Sequence, residues 1–268
     1  LEKQQWAQAA GEFERVAATQ KDPQLAREAL WQSAELHEKA ADAKSGSRVT
    51  AAKAYERYLK QYPLPLGRGL EARYRMARMA KADGDVKREA VLMKEIYQGD
   101  LAGGGARTDR TRYLGATAAL TMAEPVVAEY RKVSLVEPLA RNLKLKKAKM
   151  EDALKAYAVA ANYGVADVTT AATFQIASLY QDFGQSMIKS ERPKKLSKAE
   201  REQYDVLLEE QAFPFEEKAI ELHETNVKRA ADGIYDQWVR NSFTALGKLR
   251  PARYGKTERA EGVVDAIR

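Results

Sequence analysis

Few residues in this chain are equipped for chemistry. There are two histidines, His37 and His223, and no cysteine. His37 stands between Glu35 and Glu38, a grouping of the kind that serves a general base or a metal ligand. One imidazole without further converging ligands fills no zinc shell and runs no triad, so the grouping reads as a charged helix face. His223 follows Ala219 by four residues, in the place of an aromatic packing residue, and reads as core. Glu209, Glu210, Glu216 and Glu217 could supply the acid and base of a glycosidase at the right separation; on a helix they read as a solvated acidic face. Gly103 to Gly105 could cradle a phosphate, but no strand precedes the run and no Lys-Ser/Thr follows it, so it reads as a loop. Lys144, Lys146, Lys147 and Lys149 form a basic patch able to meet the phosphates of nucleic acid or anionic lipid, without aromatic platforms beside them. The absence of cysteine removes disulfides, thiolate catalysis and cysteine zinc sites, and suits an oxidising compartment such as the periplasm. The chain is not read as an enzyme, and no catalytic residue, metal site or cofactor is assigned.

The elements that carry these residues are helices. Alanine occurs 46 times among 268 residues, with abundant Leu, Glu, Lys, Gln and Arg and only eight prolines. Alanine loses no side-chain entropy in a helix, and no alternating run of Val, Ile and Thr announces a strand. The fold class is all-α. No stretch of 18 apolar residues occurs, so no transmembrane segment is expected. The formal net charge is +7, and residues 51–150 hold 21 basic against 11 acidic side chains, whereas residues 201–268 hold 11 against 13. A basic middle meets acidic proteins, anionic lipid or nucleic acid, or is a solvated face. The chain opens on Leu1 inside a helical pattern, as a piece of a longer protein would.

Two spacings recur. One places Ala, an aromatic four residues on and an apolar residue three further, a single helical stripe: Ala9-Phe13-Val16, Ala51-Tyr55-Tyr58 and Ala153-Tyr157-Ala160. The other places Ala, an aromatic at three and Gly at seven where a turn begins: Ala177-Tyr180-Gly184, with the seven-residue step repeated from Ala77 to Gly84. Paired helices are predicted over 3–19, 24–41, 48–61, 68–82 and 85–97, followed by a glycine loop over 99–106. Asp22-Pro23 is a helix start. Segments 109–123 and 125–148 read as long helices interrupted before Pro125 and bent at Pro138, the second running into the stripe at 153–160. Ser197 with Glu200 is a capping box opening a helix to about Gln211; Pro214 opens another to Ala231, then 234–248 follows, and the tail from Arg250 reads as extended.

These motifs resemble the tetratricopeptide repeat (TPR) family of helical hairpins, over about residues 1–97 and 150–190. The stretches from Ala29 to Leu36 and from Ala54 to Pro63 look like units of bacterial cell-envelope members, the outer-membrane-assembly lipoproteins and the Tol-Pal-associated TPR protein. The stretch from Leu207 to Ala219 is similar to the end region of large envelope TPR proteins, some near gliding-motility genes. The expected organisation is TPR-like repeats over 1–98, a glycine loop and long irregular helices over 99–149, a further hairpin over 150–190, and C-terminal helices with a polar tail over 191–268. The resemblance implies a non-catalytic scaffold that grips a peptide or partner protein in a groove lined by the first helix of each hairpin. It also implies a periplasmic or outer-membrane-associated location and another envelope protein as partner. Homo-oligomerisation through end repeats stays open, as does anionic-lipid or nucleic-acid binding through residues 107–149. The groove residues expected from helix phase are Gln32 and Glu35 on one helix and Arg73, Met76, Arg78, Met79 and Lys81 on another, with basic and adaptable side chains suited to an acidic, partly apolar peptide.

Overall fold

The computed structural model describes residues 5–255 and is all-α, a run of helices most of which pack on their neighbours in chain order. No strand occurs among the described residues. The chain divides into two compact units between Met122 and Ala123.

The first unit holds α1 (Trp6–Thr19), α2 (Pro23–Asp42), α3 (Arg48–Gln61), α4 (Leu66–Ala82), α5 (Val86–Ala102) and the first half of α6 (Asp109–Arg131). Local chemistry sets the boundaries. The Asp22 carboxylate accepts from the amides of Gln24 and Leu25, with Pro23 in the first turn, which satisfies donors that have no helix partner. Ser47 and Asp85 cap α3 and α5 in the same way. Gly84 between α4 and α5 has φ +73°, a left-handed conformation that a Cβ disfavours.

The alanine–aromatic stripes form the core of this unit. Ala51, Tyr55 and Tyr58 of α3 are buried against Leu30, Trp31 and Ala34 of α2 and Leu70, Ala72, Met76 and Ala77 of α4. Trp31 packs edge-on to Tyr55 and Tyr58 at centroid distances of 5.5 and 5.1 Å, the arrangement the ring quadrupoles favour. Burying each such ring contributes roughly 2–3 kcal/mol. Leu92, Met93 and Ile96 of α5 and Leu114 and Ala118 of α6 complete the cluster.

The second unit holds the rest of α6, then α7 (Leu139–Ala161), α8 (Ala166–Ile188), α9 (Lys198–Lys228), α10 (Gln237–Leu249) and the short α11 (Pro251–Tyr254). α8 is its centre, packed on α7, α9 and α10. The Ser197–Glu200 capping box that opens α9 is present in both directions.

Several expected boundaries differ. α6 runs through Pro125 to Arg131, and the break comes at 132–138. α9 runs unbroken through Pro214, where two helices were expected. Both prolines are exposed, so the carbonyl that each leaves without its helix donor faces water, and the helix survives. α5 continues through Gly99 to Ala102, leaving one short 3₁₀ turn at Gly104–Ala106 from the predicted glycine loop. Residues 251–254 are helical, not extended; the remainder of the expected tail, and the expected start of the first helix at residue 3, lie outside the described residues.

Candidate functional site

Three helices of the first unit stand side by side and share one half-exposed face. α2 contributes Glu28, Gln32 and Glu35 at steps of four and three residues. α4 contributes Arg68, Glu71, Arg75 and Arg78, and α6 contributes Arg110 and Tyr113. Side-chain bridges join them rung by rung. Arg68 Nη2 meets Glu28 Oε2 at 3.1 Å. Arg75 meets Glu35 at 3.1 Å and Glu38 at 2.9 Å. Arg110 Nε donates to Glu71 Oε2 at 2.9 Å. Aromatic rings lie under the guanidiniums: Arg68 is 4.4 Å from the Trp31 centroid, and Arg110 is 5.2 Å from that of Tyr113, close enough for cation–π attraction.

The electrostatics of this ladder are closed. Burial pushes the Glu71 carboxyl up, but the bond and charge of Arg110, with Arg75 behind it, outweigh that and hold it below its ordinary value. Burial disfavours the Arg75 cation, yet Tyr55 and Glu38 raise its pKa overall. Burial, then the Glu38 charge, pushes the Tyr55 hydroxyl far above the usual phenol range. The hydroxyl therefore stays protonated, donates to Glu38 and accepts from Arg75.

The predicted groove residues divide. Gln32 and Glu35 lie on the ladder, with the Gln32 amide bound to Glu28 at 3.2 Å. Arg78 is exposed on the same face of α4. Arg73 is turned toward α5, where its Nε meets Glu95 at 2.9 Å and its Nη1 donates to the Gly69 carbonyl. Met76 and Met79 do not face outward but lie in the core. Lys81, at the end of α4, is 3.6 Å from Glu89. The expected phase is off because the buried face of α4 is broad, running from Met79, Ala72 and Met76 through Gly69 and Ala80 to Ala77 and Leu70, which leaves Glu71, Arg75 and Arg78 on the remaining side. Glu28, Glu38, Arg68, Glu71, Arg75 and Arg110 went unassigned in the sequence. The Glu71–Arg75 spacing of four, an ion-pair step on any helix, was the available signal.

The basic patch divides too. Lys144 and Lys147 are exposed and Lys149 half-exposed. Lys146 turns inward: its Nζ donates to the Val133 carbonyl at 3.0 Å and sits 4.3 Å over the Tyr130 ring. It lines a cleft of about 630 Å³ shared with Arg131, Leu135, Asp182 and Lys189, so four lysines in sequence make three at the surface.

Most of the remaining chemical candidates have structural partners. His37 Nε2 lies 3.2 Å from Glu14 Oε1. Glu217 meets Arg250 at 3.0 Å, and Glu209 and Glu210 are exposed on α9. His223 is fully buried, with Nδ1 3.3 Å from Ser242 Oγ and its ring 5.3 Å from that of Phe174. Asn226 beside it donates to Ser242 and to the Thr170 carbonyl, tying α9 to α10 and α8. A serine touching a histidine resembles half of a triad, but both are sealed in the core, away from any substrate. Among the described residues no group of three or more His, Asp or Glu side chains is arranged to hold a metal ion, and no helix is long and apolar enough to cross a membrane.

No protein-family model, curated protein or solved structure matches the chain.

Proposed function

We propose that this chain is a TPR-type scaffold of the bacterial cell envelope, periplasmic or attached to the outer membrane, that binds a protein or peptide partner along the face of α2, α4 and α6. The observation that supports this is the ladder itself. Helices α2 and α4, each the first of a pair, and α6 after them align their polar rows into one half-exposed surface, with aromatic rings beneath it. Repeat solenoids use such shared surfaces to hold extended partners.

The ladder's composition revises the chemistry of the partner. Arg68, Arg75, Arg78 and Arg110 stand beside Glu28, Glu35, Glu38 and Glu71, so the face is charge-balanced rather than basic. A purely acidic peptide would have to displace ion pairs already made. A partner of mixed charge that exchanges rung for rung fits better, with orientation and specificity as the larger gains.

The test is retention of proteins from envelope and cytosolic extracts on the immobilised chain, with a Gln32→Lys/Arg78→Glu variant in parallel. Both positions lie on the ladder outside the core, so the variant keeps its fold. One or a few envelope proteins held by the parent chain and lost by the variant is the expected result; equal retention by both removes the ladder from the site. The second reading, anionic-lipid or nucleic-acid binding, rests on Lys144, Lys147 and Lys149, which are exposed or half-exposed and make no ion pair among the described residues. Retention that disappears with nuclease, or chain captured by vesicles of anionic lipid and released by salt, would favour it.

A further inference from the structure

The two halves of α9 lie in different environments. Its C-terminal half gives Ala212, Ala219, Ile220, His223 and Asn226 to the core of the second unit, whereas no residue from Lys198 to Gln211 is buried. This exposed half is not uniformly polar. Val206 is 54%, Leu207 55% and Phe213 60% exposed. At 100° per residue, Ala199, Gln203, Val206, Glu210 and Phe213 share one stripe, with Leu207 on one edge and Glu202 and Glu209 on the other. The opposite side of the helix carries Asp205, which binds Arg192, and Tyr204, whose ring lies 6.0 Å from the same guanidinium. The apolar ridge therefore faces away from the contacts that hold this half of the helix. A shallow apolar depression of about 470 Å³ lies along it, lined by Glu202, Gln203, Val206 and Leu207.

The charges beside the ridge select its occupant. Glu202, Glu209 and Glu210 are exposed and make no ion pair among the described residues, and neither a lysine nor an arginine lies on the stripe. A second copy of the ridge, laid antiparallel, would set Glu202 against Glu209 and Glu210; laid parallel, it would set each carboxylate against itself. Either pairing brings like charges together on the rim of an apolar seam, and an anionic lipid surface meets the same repulsion. A helix with apolar residues on one face and lysine or arginine flanking them meets both features at once.

We infer that the N-terminal half of α9 is a docking ridge for a basic amphipathic helix of a partner protein. Its apolar residues cover Val206, Leu207 and Phe213, and its cations pair with Glu202, Glu209 and Glu210. From Ala199 to Phe213 the ridge is about 21 Å long, room for about four turns of a partner helix. This site is separate from the α2–α4–α6 ladder and does not depend on it.

Two synthetic helical peptides of about 18 residues, alike in a leucine face but flanked by lysine in one and glutamate in the other, test the assignment by fluorescence anisotropy against the full chain. The lysine peptide binds, and more weakly as salt rises. Val206→Ser/Leu207→Ser and Glu209→Lys/Glu210→Lys each weaken it by about tenfold or more, and the second variant gains the glutamate peptide. All the altered side chains face solvent, so an unchanged circular dichroism spectrum shows that a loss is not unfolding. Equal binding of the two peptides, or binding untouched by the serine variant, overturns the proposal. So does a chain that dimerises in sedimentation equilibrium and becomes monomeric on the serine substitutions, since the ridge would then belong to a second copy.

Discussion

Arg75 and Tyr55 serve the same carboxylate oxygen. Arg75 Nη1 lies 2.9 Å from Glu38 Oε2 and 3.0 Å from the Tyr55 hydroxyl, and that hydroxyl donates to Glu38 Oε2 at 2.7 Å. The triangle links α2, α3 and α4, and its members are unequal. Tyr55→Phe removes two hydrogen bonds and leaves the ion pair, at an expected cost of about 1–2 kcal/mol. Arg75→Ala strands Glu35, leaves Glu38 the Tyr55 hydroxyl alone and takes one partner from Glu71, at an expected cost of about 2–4 kcal/mol. Urea unfolding followed by circular dichroism separates the two; equal losses would mean that the ion pairs add nothing beyond the hydroxyl.

Lys146 is a buried cation held by one carbonyl and one ring. Burial pushes its pKa down, with the Asp182 charge opposing. The charged form is therefore disfavoured on folding, and stability is regained as pH rises from the lowered value toward 10.5. Lys146→Met keeps the stem against Tyr130 and removes the desolvated charge, so unfolding free energy should change by less than about 1 kcal/mol. Lys146→Ala leaves a cavity and should cost about 2–3 kcal/mol, whereas Lys144→Ala and Lys147→Ala at the surface should stay within about 0.5 kcal/mol. Thermal unfolding of the four variants is the measurement, and a surface-like response at position 146 would contradict its buried placement.

The helices were legible in the sequence because their signals are local: Asp22-Pro23, the Ser197–Glu200 box and the Ala51-Tyr55-Tyr58 stripe each lie within a turn or two. Proline misled for a related reason. Its lost hydrogen bond matters where no water can reach the freed carbonyl, and Pro125 and Pro214 sit on exposed faces that the sequence does not mark. The site was half legible. Gln32, Glu35 and Arg78 follow from helix phase, but Arg68–Glu28 and Arg110–Glu71 join residues about 40 positions apart, and only the packing of neighbouring helices brings them together. Lys146 differs: it stands four residues before Met150 and seven before Ala153, on the buried stripe that continues to Tyr157 and Ala160. Helix phase therefore separates it from Lys144 and Lys147, and the reading of all four lysines as one patch passed over that signal.

Gly184 and Gly84 share a seven-residue spacing but differ in role. Gly84 opens a turn at positive φ; Gly184 lies inside α8, where an added Cβ would come 3.3 Å from the Ala212 carbonyl oxygen and 3.4 Å from Phe215 Cβ. It permits close approach of α8 and α9. Gly184→Ala gains helix propensity of about 1 kcal/mol but pushes against backbone, so a net loss of about 1–2 kcal/mol is expected, with Gly184→Val worse. Gly84→Ala has open space around it and should lose about 1 kcal/mol through its dihedral alone. If Gly184→Ala raised the midpoint of urea unfolding, the helices would be further apart than described.

His223 should make the second unit acid-sensitive. Burial alone lowers its pKa to about 4, from an ordinary 6.5. Its Nε2 is buried without a hydrogen-bond partner, so a proton there would have neither water nor an acceptor. The native state thus keeps the ring neutral while the unfolded chain takes up a proton below 6.5. Above that value the group adds no pH dependence; as pH falls from 6.5 toward 4 stability is lost, and below about 4 the loss levels off at roughly 3 kcal/mol. His223→Phe keeps a ring beside Phe174 but strips Ser242 of a partner, so the variant should be less stable than the parent at pH 7. It also has nothing to protonate, so the difference should shrink as pH is lowered and reverse near pH 4. Parallel stability curves for the two proteins across that range would show that His223 is hydrated or paired in solution.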